Sequence, residues 1–212
     1  MTTSRIYAVI LAAGLSSRMG TAKQLLTLQG VPMLEHVVRQ RLKEPFEKVI
    51  VILGHEEAAI RTAITIETRR LEWLSHTRYE EGQTSSLMKG FSVIPEDVDS
   101  VMIFLADQPF IKSETIKTVI DEGEIKAKEL TTPFTMRPYY RGMPGHPVYW
   151  GHIHSPDMPY HAASKGDKGG LRMMQHIEQY CIQVTDPFVV IDIDTPADYK
   201  QAKKGAYDLT ST

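Results

Sequence analysis

Short uninterrupted apolar runs alternate along the chain with longer stretches whose apolar residues recur every three or four positions. The runs Tyr7–Ala12, Lys48–Leu53 and Ser100–Leu105 predict strands buried on both faces. Between the first two, Met33, Leu34, Val37, Val38 and Leu42 form a helical stripe behind Pro32, a residue suited to a first helical turn. A second crossover helix is predicted from about Glu56 to Ile64. A third carries Leu87, Phe91 and Ile94 on its apolar face, with Thr84 or Ser85 as its cap. Alternation of this kind is the sequence form of a parallel sheet with crossover helices.

After a helix over Glu114–Glu122 the rhythm changes. Short strands are predicted near Leu130–Arg137 and His146–Trp150, joined by Gly142-Met-Pro-Gly145, which implies an antiparallel or mixed portion. Two more fall at Tyr180–Thr185 and Phe188–Ile193, and Thr195 caps a closing helix from Pro196 to Ala202. The least regular stretch, Gly151–Lys168, is the candidate lid or acceptor loop. With 212 residues and 42% hydrophobic content, the chain is long enough for one well-buried α/β domain and short for two. A net charge of −2 argues against a dedicated nucleic-acid binder. The lone Cys181 excludes an internal disulfide and is expected to pack as a small apolar residue. The first apolar run is too short for a signal segment or a membrane span, so a cytoplasmic location is expected.

The chemistry concentrates where the first strand ends. Gly14-Leu-Ser-Ser-Arg18-Met-Gly20-Thr-Ala-Lys23 follows it directly: the glycines are expected to take torsions other residues resist, freed amides face phosphate oxygens, and Arg18 and Lys23 add positive charge. The P-loop pattern does not fit, because Thr-Ala separates the lysine from Gly20. A dinucleotide fingerprint lacks its first partner glycine, although Glu35 stands at a suitable distance. An ordinary strand-to-helix turn with solvated charges is the plain alternative.

The strand ending at Leu105 runs into Ala106-Asp107-Gln108-Pro109, so Asp107 lies beyond a strand's carboxyl end, where open α/β sheets bind ligands. Mg²⁺ is held by one or two carboxylates plus phosphate and water, which makes Asp107 the first candidate ligand and Asp192 or Asp194 the second. Strand alternation would send those two to one face; Asp194-Thr-Pro also reads as a helix start. Ser85 and Ser86 offer hydroxyls at a helix start, for phosphate or base contacts or for simple capping. Lys168 and Arg172 are expected to grip an acceptor phosphate and Asp167 to orient an acceptor group, with a surface turn as the alternative. His152, His154 and His161 lack the spacing of a zinc site, and no serine sits in a nucleophile elbow.

Together, the Leu-Ala-Ala-Gly-x-Ser-x-Arg-Met-Gly-x-x-Lys loop, Gly-x-x-Ser-Ser-Leu, Ala-Asp-Gln-Pro, Gly-x-x-Gly-His-Pro-Val and Gly-Asp-x-Gly resemble the molybdenum cofactor cytidylyltransferase family, including accessory proteins of xanthine dehydrogenase, over nearly the whole chain. The resemblance implies a three-layer Rossmann-like nucleotidyltransferase fold, with an NTP-binding half at about 1–110 and an acceptor half at about 111–205. It implies transfer of CMP from CTP to molybdenum-bound molybdopterin with Mg²⁺, releasing pyrophosphate, for a xanthine dehydrogenase-type molybdoenzyme. Leu11, Ala12, Ala13, Gly14, Arg18, Lys23, Ser85, Ser86 and Asp107 would contact CTP. Asp107 and Asp194 would hold the metal, and the loops of His146 and Asp167 would face the pterin. Ala13, where guanylyltransferase relatives carry glycine, favours a pyrimidine. The segment Gly151–Lys165 departs from the family pattern and leaves other acceptors, such as a sugar phosphate, or use of GTP, as alternatives. A non-catalytic carrier of finished cofactor is the alternative from another class.

Overall fold

The strand β1 (Ile6–Ala12) is buried along its whole length and divides its side chains between two cores. Ile6, Ala8, Ile10 and Ala12 enter one apolar cluster, whereas Tyr7, Val9 and Leu11 enter another. This period of two, with both sets apolar, requires helices on both sides of the sheet. The computed structural model describes residues 5–16, 18–163, 166 and 169–204.

The remaining elements follow in order: a hairpin of β2 (Thr27–Leu28) and β3 (Val31–Pro32), α1 (Met33–Lys43), β4 (Lys48–Leu53), α2 (Glu57–Ala63), β5 (Leu71–Ser75), α3 (Gln83–Phe91) and β6 (Ser100–Leu105). Then come α4 (Ser113–Glu129), β7 (Phe134–Tyr140), β8 (Met143–Pro144), β9 (Val148–Gly151), α5 (Leu171–Met174), β10 (Glu178–Gln183) and α6 (Pro196–Lys203). The main sheet runs β10-β7-β9-β6-β1-β4-β5, with β8 paired to β7. All main-path neighbours are parallel except the pairings of β9 with β6 and with β7. The fold is therefore α/β with a mostly parallel sheet, and the mixed portion expected after α4 amounts to one reversed strand and the β8 arm. α1, α2 and α4 supply residues to the first core, α3 and α5 to the second. A third cluster of Leu28, Met33, Phe110, Ile193 and Ala202 seats α6 beside the first hairpin.

Several expectations are corrected. Phe188–Ile193 is not a strand: Pro187–Val190 forms a 3₁₀ turn, because the Asp186 side chain accepts the Phe188 amide at 3.0 Å with Pro187 at its start. Gly82 precedes α3, and Thr84 and Ser85 lie inside its first turn instead of capping it. α4 continues seven residues past Glu122. β5 had no clear sequence signal, since as an edge strand none of its residues is fully buried. Cys181 is exposed on edge strand β10 and does not pack in the core.

Gly123 lets α4 approach β9 closely: a Cβ there would stand 2.7 Å from the ring of Tyr149, which is fully buried. Gly123→Ala gains about 1 kcal/mol of helix propensity but forces an overpacked contact costing about 1–3 kcal/mol. Net destabilisation is expected in urea unfolding; a more stable variant would show that the helix shifts freely.

Candidate active site

Where β1 ends, a buried glutamine braces the following loop from beneath. Gln24 is 1% exposed, and its Nε2 donates to the carbonyls of Ala12 at 2.8 Å and Gly14 at 3.3 Å. Ser16 Oγ donates to Gln24 Oε1 at 3.3 Å and accepts the Lys23 amide at 3.2 Å. The loop is thus closed on itself by one side chain that sequence reasoning passed over; its only signal was an uncharged polar residue directly before Leu25-Leu26. Gly20 takes the expected left-handed torsion, φ +68°. Gly14 does not: Ser16 takes that conformation instead, at φ 52°. What Gly14 provides is room, since nothing lies within 4 Å of where its Cβ would stand.

The charged groups converge at the carboxyl ends of β1 and β6. The Lys23 ammonium bonds to Asp107 Oδ2 and, at 2.8 Å, to Asp194 Oδ1; Arg18 Nη2 reaches Asp194 Oδ2 at 2.7 Å. Burial opposes the Lys23 charge, yet Asp107 and Asp194 outweigh it and raise its pKa above the usual lysine value. Asp194 moves the other way: burial favours its neutral form, but Lys23 and Arg18 hold it below the ordinary aspartate value. Asp194 is delivered by α6. Thr195 and Asp198 form a reciprocal capping box, and Asp198 Oδ2 also accepts the Asp194 amide at 3.2 Å. The helix-start and ligand readings of Asp194-Thr-Pro are therefore compatible.

Asp107 Oδ1 is buried without a hydrogen-bond partner. An acceptor in that condition, beside a second carboxylate reached through one cation, fits a magnesium-type ion that takes one or two carboxylates and completes its shell with phosphate and water. Among the described residues no three His, Cys, Asp or Glu side chains form a ready-made metal cage.

Asp192 does not reach Lys23 directly. It accepts from Gln108 Nε2 at 2.7 Å, and burial, with Asp107 next in effect, pushes its pKa up to about 6. Gln108 Nε2 lies 3.4 Å from the Val189 carbonyl, which also accepts the His146 amide at 2.8 Å. The Gly-His-Pro loop is thus tied to the carboxylate group through Val189. The His146 ring turns inward, and its Nδ1 is sealed and unpartnered. Burial, reinforced by Arg137, lowers its pKa to about 3, so at neutral pH it contributes position and not positive charge.

A cavity of about 310 Å³ opens beside the loop, lined by Leu11, Ala12, Ala13, Gly14, Lys23 and Asp107, with Tyr79, Gln83 and Ser86 across from them. Ser85 is not there. Its hydroxyl donates to the Gly82 carbonyl at 2.7 Å and meets His76 Nε2 at 2.9 Å, beside a separate cavity of about 520 Å³ that also contains Arg78 and Lys89. Two glycines after Ala163 are tied near the start of α3: the Gly166 amide donates to the Glu81 carbonyl at 2.8 Å and the Gly170 amide to Thr84 Oγ1 at 2.9 Å. Asp167 and Lys168 lie outside the described residues. Arg172 is exposed on α5 and does not line the strand-end cavity. The three histidines do not share a centre: His152 bonds to Asp99, His154 Nε2 to the Pro95 carbonyl at 3.0 Å, and His161 faces His176.

Residues 8–181 match the family model described as MobA-like NTP transferase domain. The chain is similar to the probable molybdenum cofactor guanylyltransferase of Natranaerobius thermophilus, 26% identical over 210 residues, covering 95% of this chain and 97% of that one. It is 29% identical over 149 residues to the bifunctional protein GlmU of Desulfotalea psychrophila, covering 68% of this chain but spanning only 40% of that protein's length. Among solved structures, Rv0371c of Mycobacterium tuberculosis superposes with a TM-score of 0.73 at 23% identity, covering 96% of this chain and 100% of that one. Its complex with manganese gives 0.70 at 20% identity, with the same coverage.

Unfolded, the His146 imidazole protonates near pH 6.5; folded, it stays neutral to about pH 3. The unfolded state therefore binds more protons between these values, and stability is lost as pH falls from about 6.5 toward 3. Comparing wild type with His146→Asn removes the contributions of other groups. The wild type is expected to lose about 2–3 kcal/mol more than the variant between roughly pH 6.5 and 4.5, by urea unfolding. Parallel pH profiles would mean that the ring gains a proton without cost.

Proposed function

The chain belongs to the MobA-like NTP transferase family, and from that premise we propose that it is a cytidylyltransferase joining CMP from CTP to the terminal phosphate of molybdenum-bound molybdopterin. The observation that carries the reading is the Lys23 bridge between Asp107 and Asp194, at the mouth of a loop with open space at Gly14. Nucleotidyl transfer needs a cradle for three phosphates and fixed countercharge near the α-phosphorus, and these groups supply both.

In this reading Leu11, Ala12, Ala13, Gly14 and Ser86 line the nucleotide pocket, and Lys23 and Arg18 turn from the carboxylates to the phosphates. An oxygen of the acceptor's terminal phosphate attacks the α-phosphorus in line; the bond to the β-phosphate's bridging oxygen breaks, and its electron pair leaves with pyrophosphate. Lys23 and Arg18 offset the charge of the departing group, and the braced loop holds the reactants in register. A divalent ion, Mg²⁺ in this reading, would be held by Asp107 and Asp194 and would neutralise charge at the α-phosphate. The manganese complex of the mycobacterial relative supports a divalent ion. On the acceptor side, Asp167, Lys168 and Arg172 are proposed to meet the pterin, beside the Gly166 and Gly170 amides that bond to Glu81 and Thr84. The finished cofactor would pass to a xanthine dehydrogenase-type molybdoenzyme.

GTP in place of CTP is the second reading, favoured by the full-length similarity to a probable guanylyltransferase. Pyrophosphate release from CTP, GTP and ATP, with and without molybdenum-loaded molybdopterin, separates the two. Release that needs CTP and the pterin supports the first reading, and preference for GTP replaces it with the second. Asp107→Ala is expected to lower kcat at least about 100-fold while far-UV circular dichroism stays native; near wild-type turnover would remove Asp107 from the mechanism.

A further inference from the structure

On the α1 and α4 side of the sheet, the end of α1 buries an arginine. Arg41 is 1% exposed, with its guanidinium carbon 4.4 Å from the centroid of the Phe104 ring. Its Nε, Nη1 and Nη2 are all sealed from solvent, and none has a hydrogen-bond partner among the described residues. Five N–H donors left unmade in the interior are a large cost. The neighbouring carboxylates do not supply acceptors. Asp186 is already engaged by the Lys112 amide, Thr115 Oγ1 and the Phe188 amide, each at 3.0 Å. Glu44 Oε1 takes the Ser113 hydroxyl at 2.6 Å, and its Oε2 is buried with no partner. Burial pulls the Arg41 pKa down to about 10, and the charges of Glu44 and Asp186 offset that only in part.

A cavity of about 180 Å³ opens at this point, lined by Arg41, Lys43, Glu44, Ser113 and Lys117 among others. Its wall carries three cations against one carboxylate, and Lys43 and Lys117 are exposed at the rim. The volume equals the share of about six waters, ample for one tetrahedral oxyanion and below the roughly 300 Å³ at which drug-sized ligand pockets begin. Water alone would satisfy hydrogen bonds but not the excess of positive charge.

We propose that this cavity binds one small protonated oxyanion of the orthophosphate class. On binding, Arg41 and Glu44 turn their sealed polar atoms toward the cavity; the unprotonated oxygens then accept from the guanidinium, the P–OH donates to Glu44 Oε2, and Lys43 and Lys117 add charge at the rim. The site lies on the α1 and α4 side of the sheet, apart from the phosphate loop, and owes nothing to the nucleotide chemistry.

The test is thermal unfolding at neutral pH, with orthophosphate or sulfate replacing chloride at constant ionic strength. In wild type, phosphate is expected to raise Tm by about 5–10 °C at a hundredfold excess over Kd, and sulfate, which lacks the P–OH, by less. The shift should persist in Lys23→Met, which disables the phosphate loop, and vanish in Arg41→Met. Should Arg41→Met fail to fold, the exposed pair Lys43→Ala/Lys117→Ala is expected to weaken phosphate binding at least about tenfold. A shift lost in Lys23→Met, a shift that survives in Arg41→Met or is unchanged in the double variant, or no shift in wild type would each overturn the proposal, the last leaving the cavity to water.

Discussion

The Lys23 ammonium sits between Asp107 and Asp194, and through it three distant stretches of chain are drawn to one point. Remove the cation and two partly buried carboxylates face each other, with Asp192 nearby already held near the limit of ionisation by burial and by Asp107. The cluster is stable only as a balance of opposite charges. That is also what equips it for polyphosphate, since an incoming ligand with negative oxygens competes for the same two cations. The carboxylates released in that exchange become available to whatever positive charge accompanies the ligand.

Around this balance the fold supplies rigidity by unequal means. β1 and β6 are pinned between two apolar cores and fix Leu11 to Ala13 and Ala106 to Asp107 through strand geometry. The loop between Gly14 and Lys23 has no such support and depends on Gln24, whose amide holds two backbone carbonyls and a hydroxyl. A buried glutamine used in this way is a scaffold for the backbone, and its value lies in satisfying groups that a turn would otherwise leave exposed. On the far side, Gln108 does similar work, linking Asp192 to the Val189 carbonyl and hence to the His146 loop.

What could be read in advance was whatever depends on local pattern. The strands Lys48–Leu53 and Ser100–Leu105 and the cap at Thr195 follow from apolar runs and a capping sequence, signals contained within a few residues. The strand expected at Phe188–Ile193 failed because Asp186-Pro187 starts a 3₁₀ turn, a local side-chain bond that overrides β-branched composition. Cys181 was expected inside because cysteine often is, but its exposure depends on β10 being an edge, which no local signal records. Ser85 and Ser86 look equivalent as neighbours, yet a helix turns successive side chains by about 100°, so only Ser86 lines the strand-end cavity. Arg41 was unremarked for the same reason: its burial against Phe104 exists only once β6 lies under α1.

Asp194 is held by the first turn of α6, whereas its cationic partners Arg18 and Lys23 stand in the loop just beyond the first strand. The charge cluster therefore joins residues just after β1 to residues just before α6, and cannot close until α6 has docked on the hairpin at Thr27–Pro32. During vectorial synthesis the sheet strands from β1 to β6 can pair while Lys23 and Asp107 wait without their third member. Closure of the charge cluster is in this sense a late event in folding, and it comes only after the sheet that carries it has been assembled.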